Sequence, residues 1–179
     1  MAVYKENEIV NQSILHIAEK MVIAARTAPK GKGMNFLESM IVTGEDIAHI
    51  AHKMKEIGNR PNTTPAFIRD ADNILNAGAL VLLGTRIGSL GLTYCSLCGF
   101  ENCAEKEKHP EHPCAFNTGD LGIAVGSAAS VAMDARVDNR IMYTVGMAAK
   151  ELGIMGPEIK IIYCIPLSAS SKNIFFDRK

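Results

Sequence analysis

Between Tyr94 and Phe116 the chain reads YCSLCGFENCAEKEKHPEHPCAF, which sets Cys95, Cys98, Cys103 and Cys114 in the spacing C-x2-C-x4-C-x10-C. Four thiols so close together constrain the fold more than any other feature. A segment of this kind does not run through an apolar core as a regular strand or helix; it forms a loop in which sulfurs converge. A C-x2-C pair lets two thiolates reach one metal centre from a tight turn, and Gly99 gives the backbone freedom that such a turn needs. Lys106, Lys108, Pro110 and Pro113 describe an irregular return loop that delivers the fourth sulfur. A helix expected from about Asp120 brings its N-terminus close to Cys114 and favours a thiolate-rich, negative site there. Clustered cysteines suit an iron–sulfur cluster, and zinc is the alternative, because zinc accepts four cysteines, or three and a histidine, at variable spacing. His109 and His112 read as polar loop residues. Cys164, among Ile161, Ile162 and Ile165, reads as core.

The remaining composition narrows the class. The chain has 179 residues, one domain by length, and such a domain buries enough surface to fold without metal or disulfide. The five cysteines in total are an odd number, and with no export signal in MAVYKENEIVNQ a cytoplasmic location and open thiols are expected. Lys plus Arg and Asp plus Glu each number 19, and this neutrality argues against nucleic acid as the main partner. Charged residues interrupt every apolar run before membrane-spanning length, so no membrane partner is expected. No Ser/His/Asp triad, paired carboxylates or phosphoryl-transfer loop stands out.

Periodicity outlines the elements. Val10, Ile14, Ile17, Met21, Ala24 and Ala28 share a helix face that ends at Pro29. A strand is expected over Phe36–Thr43, a helix from Glu45 through Ile57, another after Thr64, and a buried strand over Ala79–Leu83. The run from Asp120 to Met133 is small and apolar on nearly every side and predicts a central buried helix, with Gly122 and Gly126 spaced for close approach of another helix. A last helix is expected over Val137–Leu152, capped by Asp134 or Asp138, and a last strand over Ile159–Pro166. Asp120 also reads as a cap. The alternation gives a single α+β domain over 1–179, with 94–116 as a cysteine-rich metal-binding insert.

From Lys20 to Leu37 there are four basic residues, Lys20, Arg26, Lys30 and Lys32, and no acidic one. Arg26, Lys30 and Lys32 stand at a Gly31/Gly33 turn. Such a turn holds a phosphate through ammonium and backbone N–H groups, or is simply a solvated connection.

The helix ending in AARTAP, the strand after it and GEDIAHIAHKM resemble the N-terminal part of the nitroreductase-like flavoproteins. VDNRIMYTVGMAAKELGI is similar to that family's central helix pattern, and the last strand with the tail Asp177-Arg178-Lys179 also fits. With CSLCGFENC included, the whole chain resembles a prokaryotic family described as containing a ferredoxin domain. The resemblance implies an antiparallel or mixed sheet flanked by helices, an intertwined homodimer, FMN at the subunit interface, and transfer of reducing equivalents to small oxidised substrates or a redox partner. It tips the thiols toward an iron–sulfur cluster of the 4Fe–4S type, with Arg26, Lys30, Lys32, Asn35 and Arg178 as flavin contacts. The chain also departs from the pattern. Flavin-binding members usually open the first helix with Arg-x-Ser-x-Arg, whereas no arginine precedes Arg26 here, Lys30 replaces the usual serine, and Asn35 is displaced. These departures support an alternative, a non-enzymatic metal-stabilised binding or sensing domain.

Overall fold

The computed structural model describes residues 3–176. In chain order its elements are α1 (Glu6–Thr27), β1 (Leu37–Val42), α2 (Glu45–Gly58), α3 (Ala66–Ile74), β2 (Ala79–Arg86), α4 (Cys103–Glu107), α5 (Ala115–Asp134), β3 (Asp138–Asn139), α6 (Tyr143–Glu151) and β4 (Ile159–Ser168). The strands form one sheet in the order β1-β2-β4-β3, and every pairing is antiparallel. This is the expected α+β architecture. No helix among the described residues is long and apolar enough to cross a membrane.

β2 lies inside the sheet, and every residue from Ala79 to Thr85 is buried. Its alternating side chains divide the interior in two. Leu80 and Leu82 point into a core closed by α2, α3 and α6, while Ala79, Val81 and Leu83 point into another closed by α1 and α5. β4 repeats the division, with Ile162 and Cys164 on the first side and Ile165 and Leu167 on the second. A bulge pairs Thr85 with Ile161 but Arg86 with Ile159, skipping Lys160. That extra residue shifts the parity, so Ile159 joins the same core as Ile162 while the Lys160 side chain stays exposed. Cys164 is fully buried, and burial pushes its thiol well above the ordinary range, as a core cysteine requires.

Two helices differ from the sequence reading. The expected helix over Val137–Leu152 starts only at Tyr143, because residues before it pair with the edge of β4: Asp138 and Asn139 form β3, and Met142 exchanges both backbone hydrogen bonds with Cys164 at 2.8 and 3.0 Å. The free edge of β4 outbids local helix propensity there. Arg140, left outside the helix, donates to the Phe175 carbonyl at 2.9 Å and so anchors the segment after β4, where Phe175 fills the first core. The central helix starts at Ala115, five residues before Asp120, and Asp120 lies within it. Buried Asp70 joins α3 to α6, accepting from Thr144 Oγ1 at 2.7 Å and from the neighbouring Arg69 guanidinium.

α6 packs directly on the β4 backbone at Gly146, where an added Cβ would collide with the Ile162 carbonyl. Gly146→Ala is therefore expected to destabilise the fold by about 1–3 kcal/mol, despite alanine's better helix propensity, and to lower the urea midpoint accordingly.

Candidate metal and cofactor site

After β2 the chain leaves regular structure for residues 87–102, forms the short α4, and returns through 108–114 to the start of α5. Residues Ser96–Gly99 close the expected C-x2-C turn, with the Gly99 N–H on the Ser96 carbonyl at 3.0 Å and Gly99 at φ +88°. All four cysteines of the insert are free thiols; Cys95, Cys98 and Cys103 are half-buried, and Cys114 is buried. Cys103 opens α4 with its Sγ 3.9 Å from the Leu92 carbonyl.

Cys114 occupies the N-cap of α5, and its backbone carbonyl accepts from the N–H of Asn117 at 2.9 Å. The Asn117 side chain answers by accepting from the Cys114 N–H at 3.3 Å and the Gly88 N–H at 3.0 Å. One buried amide thus fixes the exit from β2 against the last cysteine. The sequence reading missed it; a polar residue three positions after Cys114 is the capping signal that could have revealed it. The position suits a thiolate, because unsatisfied N–H groups and the dipole of a 20-residue helix point at it.

Lys106 is the second residue that sequence alone did not single out. It is 3% exposed, lies three residues after Cys103 on the same side of α4, and has no hydrogen-bond or ion-pair partner for its ammonium among the described residues. Four soft thiols in one short segment fit a thiolate-ligated centre.

The basic turn is engaged mostly with the protein itself. The Lys30 ammonium donates to the carbonyls of Ala25, Arg26 and Ala28 at 2.7, 2.8 and 2.7 Å, closing the C-terminus of α1. Its pKa is lowered, first by burial and then by Arg26, with Asp120 acting the other way. The Gly31 N–H donates to both carboxylate oxygens of buried Asp120, at 3.2 and 3.1 Å. Asp120, expected as a cap, therefore ties the turn to α5. Asn35 binds the Leu37 backbone in both directions. Arg26 and Lys32 are exposed. Arg178 lies outside the described residues.

A cavity of about 400 Å³ opens between this turn and α5, lined by Pro29, Gly31, Leu97, Phe116, Asp120 and Ile123 among others. Its walls are almost wholly apolar, which suits a flat ring more than a charged group. Leu97 comes from between Cys95 and Cys98, so the cavity touches both the turn and the cysteine insert. The return loop gathers His109, Glu111 and His112, read from sequence as polar loop residues; among the described residues they form the group whose three ligand atoms lie within 4.8 Å of one another.

This architecture is the nitroreductase fold. A nitroreductase with bound FMN from Desulfitobacterium hafniense superposes with a TM-score of 0.58 at 12% identity, over 96% of this chain and 81% of that one. A nitroreductase family protein from Clostridium novyi gives 0.59 at 13% identity, over 97% and 81%. One with bound FMN from Bacteroides fragilis gives 0.57 at 9% identity, over 99% and 84%. Residues 111–178 match the family model described as "Uncharacterized protein containing a ferredoxin domain". An uncharacterized protein from Archaeoglobus fulgidus is 38% identical over 180 residues, covering 97% of this chain and 96% of the relative. The chain belongs to this ferredoxin-domain family, and its character is that of a redox-like protein.

Asn117→Ala would leave the N–H groups of Gly88 and Cys114 without their acceptor, at an expected cost of roughly 1–3 kcal/mol. Cys114 should then react faster with a thiol reagent while Cys164 stays protected, as mass spectrometry of the labelled protein would read.

Proposed function

We propose that this protein is an iron–sulfur redox protein on a nitroreductase scaffold, with Cys95, Cys98, Cys103 and Cys114 as ligands of one 4Fe–4S cluster and FMN held in the neighbouring cavity of a homodimer. The observation that carries this reading is Leu97, which stands between two of the thiols and also walls the cavity beside the basic turn. The cysteine segment and the basic turn thus border one cavity. Bound at these sites, a cluster supplies one-electron transfer and a flavin couples it to two-electron chemistry.

The chain's own residues have distinct tasks in this reading. The N-terminus of α5 favours Cys114 as thiolate, and Lys106 offsets the negative charge of a thiolate-ligated centre. Arg26 at the end of α1 and Lys32 on the turn, with Arg178, offer positive charge to a phosphate, while Asn35 fixes the entry to β1 after the turn. Lys30 supports the same turn from beneath, since its three donors are on α1 carbonyls. The electron acceptor would be a small oxidised molecule or a protein redox partner.

Support for the homodimer comes from α5. Among the described residues Gly122 and Gly126, expected to admit another helix, meet no other element: an added Cβ at either would find nothing within 4 Å. The helix packs on α1 by its other side, where Ser127 Oγ donates to the Ala24 carbonyl at 3.1 Å. Ile123 and Met133 stand 49% and 65% exposed on the outward side, and Ile123 also lines the cavity. A second copy on this face would therefore help to enclose the cavity.

A second reading, a metal-stabilised binding or sensing domain without flavin, draws on the engagement of Lys30 and the lack of an arginine before Arg26. Anaerobically purified protein separates the two. The redox reading expects a broad visible absorption that bleaches on reduction, with resolved flavin bands when FMN is bound. Colourless protein carrying one zinc per chain would overturn it, and Cys98→Ser that kept its full metal content would contradict the ligand set.

For the dimer, sedimentation should give twice the chain mass. Gly122→Leu, at a position where an added Cβ meets nothing within 4 Å among the described residues, is expected to weaken the association by about tenfold or more. Wild-type protein sedimenting as a monomer would remove the homodimer from the proposal.

A further inference from the structure

The five histidines of the chain divide into two kinds. His16, His49 and His52 each face one acidic residue on their own helix, as ordinary exposed pairs. His109 and His112 instead share one carboxylate: Glu111 Oε1 lies 2.8 Å from His112 Nδ1 and 3.8 Å from His109 Nδ1. We propose that His109, Glu111 and His112 form a second metal site, distinct from the four thiols, for a borderline divalent cation of the zinc, cobalt or nickel class.

The geometry is close to what such a cation needs. Ligand atoms about 2.0–2.2 Å from a tetrahedral centre lie roughly 3.3–3.5 Å apart. The three ligand atoms here are already within 4.8 Å of one another, so closure takes adjustments on the order of 1 Å. The rings are also organised. Phe100 stacks on His109 with centroids 5.1 Å apart and planes 23° from parallel, and meets His112 edge-on at 5.7 Å. The two imidazoles stand at 83° with centroids 5.8 Å apart. The His109 N–H donates to the Lys106 carbonyl at 2.9 Å and the His112 N–H to the His109 carbonyl at 3.1 Å, while Pro110 and Pro113 restrict the backbone after each histidine. Much of the ordering that binding requires is thus already present.

The donor set selects the class of cation. Two imidazoles and one carboxylate suit borderline metals; calcium and magnesium prefer oxygen alone, and copper(I) prefers sulfur. With the three side chains 49–64% exposed, water completes the coordination. A cation held here would brace the return loop two residues before Cys114, on the side of the insert away from the C-x2-C turn in sequence. Occupancy does not depend on what the thiols hold.

The test uses full-length protein whose thiols are already saturated, with its native metal or with one added equivalent of zinc, titrated with cobalt(II). One further cobalt per chain is expected, with visible bands of nitrogen and oxygen ligation, no thiolate charge-transfer band, and paramagnetic shifts on the rings of His109 and His112. The double variant His109→Ala/His112→Ala should bind it about tenfold or more weakly, with thiol-bound metal unchanged. Glu111→Gln, a substitution at an exposed position, should weaken binding too and keeps the test open if the double variant fails to fold. His49→Ala should bind as wild type. No further cobalt below millimolar concentration, wild-type affinity retained in both the Glu111 and the histidine variants, or a thiolate charge-transfer band would each overturn the site. Because thiol-bound metal is measured separately, these outcomes are distinct from failure of the redox reading.

Discussion

The structure depends on β2 being covered on both faces and both edges. A strand buried from Ala79 to Thr85 has no side to give to solvent, so β1 and β4 must take its backbone hydrogen bonds and helices must close each face. Its alternating side chains assign the helices to their layers, α2, α3 and α6 on one face and α1 with α5 on the other. Everything that bears on function follows from the second layer. α1 ends and α5 begins near the same end of the sheet, and the cysteine insert leaves β2 there, held by the Asn117 side chain.

That arrangement explains why charged and polar groups are found inside a largely apolar wall. The Gly31 N–H and the Asp120 carboxylate satisfy each other between the turn and α5, and Lys30 satisfies three carbonyls that α1 cannot. A turn that from its charge alone resembles an anion site is therefore built first as a joint between two helices. Arg26 and Lys32 are left exposed. The Lys106 ammonium, by contrast, has no such partner among the described residues, although Glu105 and Glu107 flank it in sequence.

Much of this was legible in the sequence. β1, β2, β4 and α1 to α3 follow from periodicity and punctuation within a few residues, because each has one clear apolar pattern and a glycine or proline at its end. The C-x2-C turn with Gly99 at positive φ was legible for the same reason, since one residue type is needed at one place. The helix over 137–152 was read too long because the competing partner, the edge of β4, is distant in sequence. The inward face of α5 was not legible at all. A helix small and apolar on all sides carries no pattern to orient it, and Gly122 and Gly126 turn out to face outward.

What the sequence determined by itself is local chemistry: four thiols in one short segment, one uncompensated basic turn, and the order of helices and strands. These need only composition, spacing and neighbours along the chain. The tertiary structure decided which groups are spent and which remain available. It committed Lys30 and Asp120 to structural contacts, buried most of the Lys106 side chain, brought Leu97 to the cavity wall, and joined His109 and His112 through Glu111. Hydrogen bonds and burial are satisfied by whatever folding brings near, and between Gly31 and Asp120 that partner is 89 residues away.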